Sequence, residues 1–323
     1  MSDKTLVVED LRTHFLTRSG VVRAVDGVSF EVKPGEVLGL VGESGCGKTV
    51  TGFSILGLVD PPGRVVGGRV LLDGKDLLRL EEKELRRIRG AQVAMVFQDP
   101  MMTLNPVLRI DTQMVEAVRA HQEVDNEEAF QLAKAALQRV GIASPEERLR
   151  SYPHQFSGGM RQRVAIALAL AAEPKLIVAD EPTNALDVSI QAQIINLLEE
   201  LQAEFRLTYL FVAHDLSVVR HISDRVAVMY LGRIVEITDR KSLYEDPQHP
   251  YTKALLSAVP IPDPAVEAGR EHVVLGGEVP SPLNPPAGCV FHPRCPIAVA
   301  ECRTVVPELR EVRPGHQAAC IRL

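Results

Sequence analysis

The sequence predicts an α/β fold built around a phosphate-binding loop, and three observations lead to this expectation. A buried apolar strand, a glycine-rich turn and a helix start follow one another in VLGLVGESGCGKTVT, residues 37–51. A second apolar strand, KLIVA, ends in two adjacent acids, Asp180 and Glu181. Residues 5–36 alternate between apolar and polar side chains, which is typical of antiparallel strands. We therefore expect an α/β core preceded by an antiparallel β layer.

The composition excludes several classes of protein. The chain has 323 residues, 46% hydrophobic and 24% charged, which is an ordinary globular balance. Its net charge of −6 argues against a sequence-independent nucleic-acid binder, which would be basic. The chain has no run of 18 apolar residues, which a bilayer-spanning helix would need, and the start, MSDKTLVVEDLR, lacks the pattern of a secretory signal peptide. We therefore expect no export, no membrane span and no nucleic-acid partner.

The turn after the first strand matches G-x-x-x-x-G-K-S/T in full, and its flanking strand and helix make a chance glycine-rich turn the weaker interpretation. The glycines let consecutive backbone N–H groups face one phosphate, at the positive end of the following helix. Lys48 supplies charge for the terminal phosphates, and the Thr49 hydroxyl is a magnesium ligand. The residues expected to line this site are Gly42, Ser44, Gly45, Cys46, Gly47, Lys48 and Thr49.

The pattern predicts the following elements along the rest of the chain. They are a helix over 48–58, a hairpin over 67–77, a charged helix over 80–89, a strand over 93–97, a helical insert over 111–150, a strand over 175–179, a strand over 208–213 and a hairpin of 226–230 with 233–236 that closes the sheet.

Two residues in the first half of the chain allow two interpretations each. Phe15 lies in the predicted β layer, where its ring could stack on adenine or simply face the core. Gln98 follows a buried strand and could reach a metal ion or its water, although a strand-end glutamine is also ordinary.

A second helix start could also bind a phosphate. Ser157 fits an N-cap, and Gly158 and Gly159 expose backbone N–H groups at the start of a long apolar helix. This turn has no lysine of its own. Taken alone, a serine and two glycines before a helix are more often only a flexible cap.

Acidic and basic groups follow two of the predicted strands. Asp180 ends one strand, where it could hold magnesium through water, and the neighbouring Glu181 could act as the general base on an attacking water. His214 ends the next strand and could bond a γ-phosphate or simply be solvated.

The order of these motifs over residues 5–240 resembles the nucleotide-binding subunit of an ABC transporter. The resemblance implies a P-loop NTPase (RecA-like) core with an N-terminal antiparallel β subdomain, an inserted α-helical subdomain over about 99–165 and a small C-terminal cysteine-containing extension. It also assigns the family's motifs: Walker A at Gly42 to Thr49, the Q-loop at Gln98, the signature at Phe156 to Met160, Walker B ending at Asp180, the catalytic Glu181, the D-loop at Asn184 to Asp187 and the switch at His214.

The resemblance further implies that two such ATPases, homologous or identical, pair head to tail. Each ATP, with Mg²⁺, would lie between the Walker A loop of one subunit and the signature of the other, so Ser157, Gly158 and Gly159 would contact the partner's ATP. Two departures, Met160 for the usual glutamine and Asn184 for serine or threonine, remove no catalytic group. Two transmembrane permease subunits and, indirectly, an extracytoplasmic peptide-binding protein are implied as further partners, with the chain peripheral to the cytoplasmic face of the membrane.

The tail, YEDPQHPYTKALLSAVPIPDP over residues 244–264, resembles the C-terminal extension of oligopeptide and dipeptide transport ATP-binding proteins. The resemblance implies an ATPase domain over 1–240, an extension over 241–323, and ATP hydrolysis that powers uptake of di- or oligopeptides. Nickel-uptake ATPases carry similar motifs and are an alternative. A non-transport ABC ATPase is a third, against which the short insert and the single set of motifs argue.

Four cysteines lie in the extension, at Cys289, Cys295, Cys302 and Cys320, with five, six and seventeen residues between them. The absence of a C-x₂-C pair argues against a zinc ribbon. Four loosely spaced thiols suit an iron–sulfur cluster, and we expect a 4Fe–4S cluster. Zinc and unligated cysteines are the alternatives.

Overall fold

The structure is a computed structural model that describes residues 4–260, Gly269 and 275–323. Its strands are β1 (Leu6–Thr17), β2 (Gly20–Val32), β3 (Val37–Val41), β4 (Gly63–Leu72), β5 (Lys75–Asp76), β6 (Val93–Val96), β7 (Leu176–Asp180), β8 (Thr208–Ala213), β9 (Arg225–Tyr230), β10 (Arg233–Asp239), β11 (Arg310–Arg313) and β12 (His316–Ala318). Its α-helices are α1 (Lys48–Leu56), α2 (Glu82–Ile88), α3 (Ile110–Arg119), α4 (Asn126–Arg139), α5 (Pro145–Leu149), α6 (Gly158–Leu170), α7 (Val188–Phe205), α8 (Leu216–Ile222), α9 (Arg240–Glu245) and α10 (Pro250–Ser257). The last four residues of the tail stretch, 261–264, lie outside the described residues.

The described residues form two compact units. The first unit contains residues 4–5, 32–35 and 79–211, and the second contains 6–31, 36–78 and the described residues from 212 onward.

The antiparallel β layer predicted before the phosphate loop is confirmed in the second unit. Its strands lie in the order β2-β1-β4-β5, and β1 pairs antiparallel with β4. The register shifts after Glu9, where Asp10 adopts a φ of 45°. This bulge moves the buried positions of β1 from Leu6 and Val8 to Leu11, so that both halves of the strand face the core.

A second sheet in this unit carries the phosphate loop. Here the strands lie in the order β11-β12-β10-β9-β3, with β3 parallel to β9 and every residue of β3 buried. The prediction that the 226–236 hairpin closes the sheet is wrong, because β12 pairs antiparallel with β10 and then with β11. These two added strands, REVR and HQA, are too short and polar to produce an alternating pattern in the sequence.

The first unit contains the predicted helical insert. Helices α3, α4 and α5 lie within the predicted range to within one residue at the start, and α4 packs on both α3 and α6. The buried faces are formed by Met114 and Val118 of α3 and by Ala129 and Ala133 of α4. In the same unit β6 pairs parallel with β7, beside which β8 begins.

The ends of α1 and α2 differ from the sequence prediction by one or two residues. Helix α1 stops at Leu56 because Gly57 takes a left-handed φ of 65° and its N–H caps the helix. No helix in the described part of the chain is both long and apolar enough to cross a bilayer.

Candidate functional site

The phosphate loop runs from the end of β3 to the start of α1, and two of its glycines have no room for a side chain. A Cβ on Gly42 would lie 2.1 Å from the carbonyl oxygen of Met229. A Cβ on Gly47, whose φ is 109°, would lie 2.2 Å from the carbonyl oxygen of Ala24. The backbone at Met229 and Ala24 therefore packs directly against the loop and sets the curvature that brings the loop N–H groups together.

Lys48, the first residue of α1, is buried against the phosphate loop. Its Nζ donates to the carbonyl oxygens of Gly42, at 2.9 Å, and Glu43, at 3.2 Å. Cys46 is buried beside it, and burial raises the pKa of its thiol, which stays neutral at physiological pH. Ser44 and Gly45 are exposed at the tip of the loop, which presents them to a ligand from solvent.

In the first unit, the end of β7 brings two predicted site residues together. Asp180 is the last residue of β7 and is almost fully buried. Glu181 follows with a φ of 43°, a left-handed conformation that is unfavourable for a residue other than glycine and that recurs at functional sites. The side-chain amide of Gln98 donates to Oε2 of Glu181 at 3.1 Å, across 83 positions of sequence. The strand-end glutamine and the predicted general base are therefore in contact.

The second predicted phosphate terminus, also in the first unit, is an N-capped helix start. The Ser157 hydroxyl accepts from the backbone N–H of Met160 at 3.3 Å, as the sequence predicted. Gly158 is exposed, whereas a Cβ on Gly159 would lie 2.6 Å from the side chain of Ile190. The start of α6 therefore packs against the first turn of α7, the helix that follows the predicted D-loop.

Phe15 and His214 both belong to the second unit. Phe15 is half-buried on β1 and pairs with Gly63 on β4, where an added Cβ would lie 2.6 Å from the Phe15 ring. His214 follows β8 and is exposed. The contacts of Phe15 with adenine and of His214 with the γ-phosphate stay predictions.

The four cysteines of the extension lie close to one another. Burial raises the pKa of Cys295, and the nearby thiols of Cys289, Cys320 and Cys302 raise it further. Cys302 and Cys320 are buried. Within the described ranges, however, no group of three or more His, Cys, Asp or Glu side chains is arranged to hold a metal ion. The 4Fe–4S cluster therefore stays a prediction.

The sequence analysis missed two residues that contact the phosphate loop, Tyr251 and Arg294. The Tyr251 hydroxyl accepts from the backbone N–H of Glu43, and the Arg294 guanidinium pairs with the Glu43 carboxylate. Tyr251 belongs to the His-Pro-Tyr sequence at 249–251, within the tail stretch that carries the family resemblance, but that resemblance does not point to a contact with the loop. Nothing in the sequence singles out Arg294.

Comparison with known proteins agrees with these motifs. The family model described as "ABC transporter" matches residues 25–184, and the model "Oligopeptide/dipeptide transporter, C-terminal region" matches residues 235–302. The chain is 50% identical to the oligopeptide transport ATP-binding protein AppF of Bacillus subtilis, over 98% of this chain and 96% of AppF. It is 49% identical to a probable peptide ABC transporter ATP-binding protein, y4tR, of Sinorhizobium fredii, over 99% of this chain and 96% of that protein.

Solved structures give the same result for the fold. A dimeric structure of the bacterial ABC transporter cassette MJ0796 is 28% identical, with a TM-score of 0.65 over 73% of this chain and 98% of that one. A dimeric post-hydrolysis state of MJ0796, bound to ADP and Pi, matches with the same scores. The chain therefore belongs to the ABC transporter family of ATPases and carries the C-terminal region of the oligopeptide/dipeptide transporters.

Proposed function

We propose that this chain is the ATP-hydrolysing subunit of a membrane importer that takes up di- or oligopeptides. The observation that carries the proposal is the joining of an ABC ATPase segment to the peptide-transporter C-terminal region in one chain. The relatives named above, which cover nearly the whole chain, are described as peptide or oligopeptide transport proteins. These descriptions do not favour nickel, the alternative substrate considered from the sequence.

The phosphate loop is proposed to bind ATP through its backbone N–H groups and Lys48. The ammonium of Lys48, which now bonds two loop carbonyls, would exchange these uncharged partners for phosphate oxygens. The Thr49 hydroxyl and the buried carboxylate of Asp180 are hard oxygen ligands of the type that Mg²⁺ prefers, with Gln98 as a further oxygen donor. Mg²⁺ would neutralise charge on the phosphates when bound.

Glu181 is proposed to act as the general base. Its carboxylate would accept a proton from the attacking water, and the amide of Gln98 that bonds Oε2 would orient the carboxylate. His214 is proposed to donate to the γ-phosphate. Phe15 is proposed to stack on the adenine.

The chain is proposed to work in a pair, with the signature of one copy on the ATP of the other. The exposure of Ser157 and Gly158, and the 83% exposure of Val188 at the start of α7, support a partner at this surface of the first unit. The partner is a second ABC ATPase, homologous or identical.

Further partners are proposed to be two permease subunits and, indirectly, an extracytoplasmic peptide-binding protein. The exposed Met102, in the single 3₁₀ turn Pro100–Met102 just after Gln98, offers an adaptable apolar contact for a permease. The chain would then be peripheral, at the cytoplasmic face of the membrane.

The extension is proposed to hold a 4Fe–4S cluster through Cys289, Cys295, Cys302 and Cys320. The gathering of all four thiols at one place supports the proposal, because cysteine thiolates are the ligands of such clusters. A cluster would replace part of the apolar core that the short elements of the extension lack.

Peptide uptake by whole cells tests the proposed function. A strain that lacks the gene would receive either the wild-type gene or Lys48→Ala, and uptake of a labelled tripeptide and of radioactive nickel would be measured. We expect the wild-type gene to restore tripeptide uptake and Lys48→Ala to leave it at the level of the empty strain. Restoration of nickel uptake alone would favour the alternative substrate, and restoration of neither would overturn the proposal.

A further inference from the structure

Glu43, the second residue of the phosphate loop, is bound on both its side chain and its backbone N–H by the C-terminal extension. Nη1 and Nη2 of Arg294 donate to the two carboxylate oxygens of Glu43, at 2.7 and 3.1 Å. The hydroxyl of Tyr251 accepts from the backbone N–H of Glu43 at 2.9 Å. This N–H is thereby engaged away from any phosphate. The paired geometry fixes the orientation of the carboxylate as well as its position.

The arginine of this pair is held in a low-dielectric environment. Its side chain is only 8% exposed, and its guanidinium lies 5.9 Å from the centre of the Tyr230 ring. Tyr230, Tyr251 and Phe291 form a buried aromatic cluster, with ring centres 4.7 to 5.4 Å apart. The cluster joins β9, α10 and the segment between Cys289 and Cys295, which contains Phe291. The aromatic cluster therefore holds Arg294 and Tyr251 in place, and its apolar surroundings strengthen the ion pair of Arg294 with Glu43.

Glu43 in turn holds the lysine that binds phosphate. Its carbonyl oxygen accepts from Nζ of Lys48 at 3.2 Å and from the backbone N–H of Cys46 at 3.2 Å. A rotation of the Glu43 backbone would move both bonds. The position of the Lys48 ammonium is therefore linked, through one residue, to side chains about 200 and 250 positions later in the chain.

We propose that Arg294 and Tyr251 are positioning residues for ATP binding: through Glu43 they hold the phosphate loop and Lys48 in the conformation that accepts the nucleotide. The extension thereby acts on the ATPase site in addition to any role in its own stability. This proposal rests on the proposed role of the loop and Lys48 in phosphate binding. It goes beyond that role by assigning a function to residues outside the ATPase motifs.

The test measures ATP binding and steady-state hydrolysis by the full-length chain, assembled with its partner subunits for the hydrolysis assay. The variants are Arg294→Ala, Arg294→Lys and Tyr251→Phe. We expect Arg294→Ala to raise both the Kd and the KM for ATP about tenfold while kcat changes less than about twofold, because no group at Glu181 is altered. Arg294→Lys, which keeps the charge but loses the paired geometry, should fall between the wild type and alanine.

A matched control is Arg313→Ala, which removes the ion pair of Arg313 with Asp246 in the same extension but touches no residue of the loop. It should leave the KM for ATP at the wild-type value. An equal rise of KM in Arg313→Ala and Arg294→Ala would overturn the proposal, because it would mean that any damage to the extension has this effect. An unchanged KM in Arg294→Ala would overturn it directly.

A double-mutant cycle separates positioning from simple loss of stability. If Arg294 acts through Glu43, the variant Glu43→Gln should raise KM by itself, and adding Arg294→Ala should raise it little further. Independent, multiplying effects would contradict the proposal. If Arg294→Ala does not fold, Glu43→Gln, which keeps the shape of the side chain, gives the same test. Lys48→Ala separates this proposal from the proposed function on which it rests. Retained ATP binding in Lys48→Ala would refute the proposed role of the loop in phosphate binding, whatever the result for Arg294.

Discussion

Single buried polar residues attach the extension to the sheet of the second unit. Glu236 on β10 is fully buried, and its carboxylate accepts from the backbone N–H groups of Gln248 and His249 at 2.6 and 2.9 Å. Nε2 of His316 on β12 lies 2.6 Å from the same carboxylate. A buried carboxylate needs such partners, because losing one leaves a charge without compensation. These contacts explain why the extension continues the sheet rather than lying on it.

His249 makes the stability of the chain depend on pH. Burial lowers its pKa to about 3, from an ordinary value of 6.5, and Nδ1 accepts from the backbone N–H of Tyr251 as the cap of α10. The unfolded chain therefore binds a proton between these two values that the folded chain does not. The contribution of the neutral His249 to the free energy of unfolding is fully present above pH 6.5. It is lost as the pH falls toward 3, at up to about 1.4 kcal/mol per pH unit.

The variant His249→Asn should remove this dependence while keeping a side chain that can cap the helix. Urea unfolding at pH 7.5, 6.5 and 5.5 would measure the free energy of unfolding of both proteins. We expect the variant to be the less stable at pH 7.5 and the difference to shrink by about 1 kcal/mol or more at pH 5.5. A difference that is the same at all three pH values would contradict this account of His249.

At the scale of elements, the extension is built from short pieces. Its strands β11 and β12 have four and three residues. Cys295 lies between the single 3₁₀ turns His292–Arg294 and Ala300–Arg303, and Cys302 lies in the second of them, whereas Cys289 precedes the first turn and Cys320 follows β12. Apart from the aromatic residues Tyr251 and Phe291, such pieces bury little large apolar surface. A bound metal group or the buried polar contacts described above must therefore contribute to their stability.

The iron–sulfur proposal is tested at this scale. Protein purified without oxygen should contain iron and acid-labile sulfide and absorb broadly in the visible range. Cys289→Ser and Cys320→Ser should each lose the iron and lower the unfolding temperature. Cys46→Ser, which removes the cysteine of the phosphate loop, should keep the iron. Zinc in place of iron, or no metal at all, would refute the cluster.

Elements marked by an apolar run or by a capping residue could be predicted from the sequence, and elements without such a local signal could not. The apolar strands at 208–213 and 226–230, and the N-cap at Ser157, agree with the structure to within a residue. The strands of the extension were missed because the pairing of β12 with β10, and of β11 with β12, comes from the rest of the sheet and not from their own residues.

At the scale of the whole molecule, the motifs identified the family, whereas the contacts between distant residues came only from the structure. The phosphate loop and the acids after β7 could be predicted because each is a local pattern at the end of a strand. The pair of Arg294 with Glu43 joins residues 251 positions apart, and no local pattern marks either member. A contact of this kind depends on the packing of the aromatic cluster, which the sequence does not express.

The most direct test of the central claim is ATP hydrolysis by the reconstituted transporter, containing this chain as the wild type or as Glu181→Gln. With peptide and its binding protein present, the wild type should hydrolyse ATP and accumulate the peptide. The variant should bind ATP as the wild type does but hydrolyse it at least about a hundredfold more slowly, without peptide uptake, because the general base has lost its charge. Hydrolysis and peptide uptake at wild-type rates in Glu181→Gln would contradict the account.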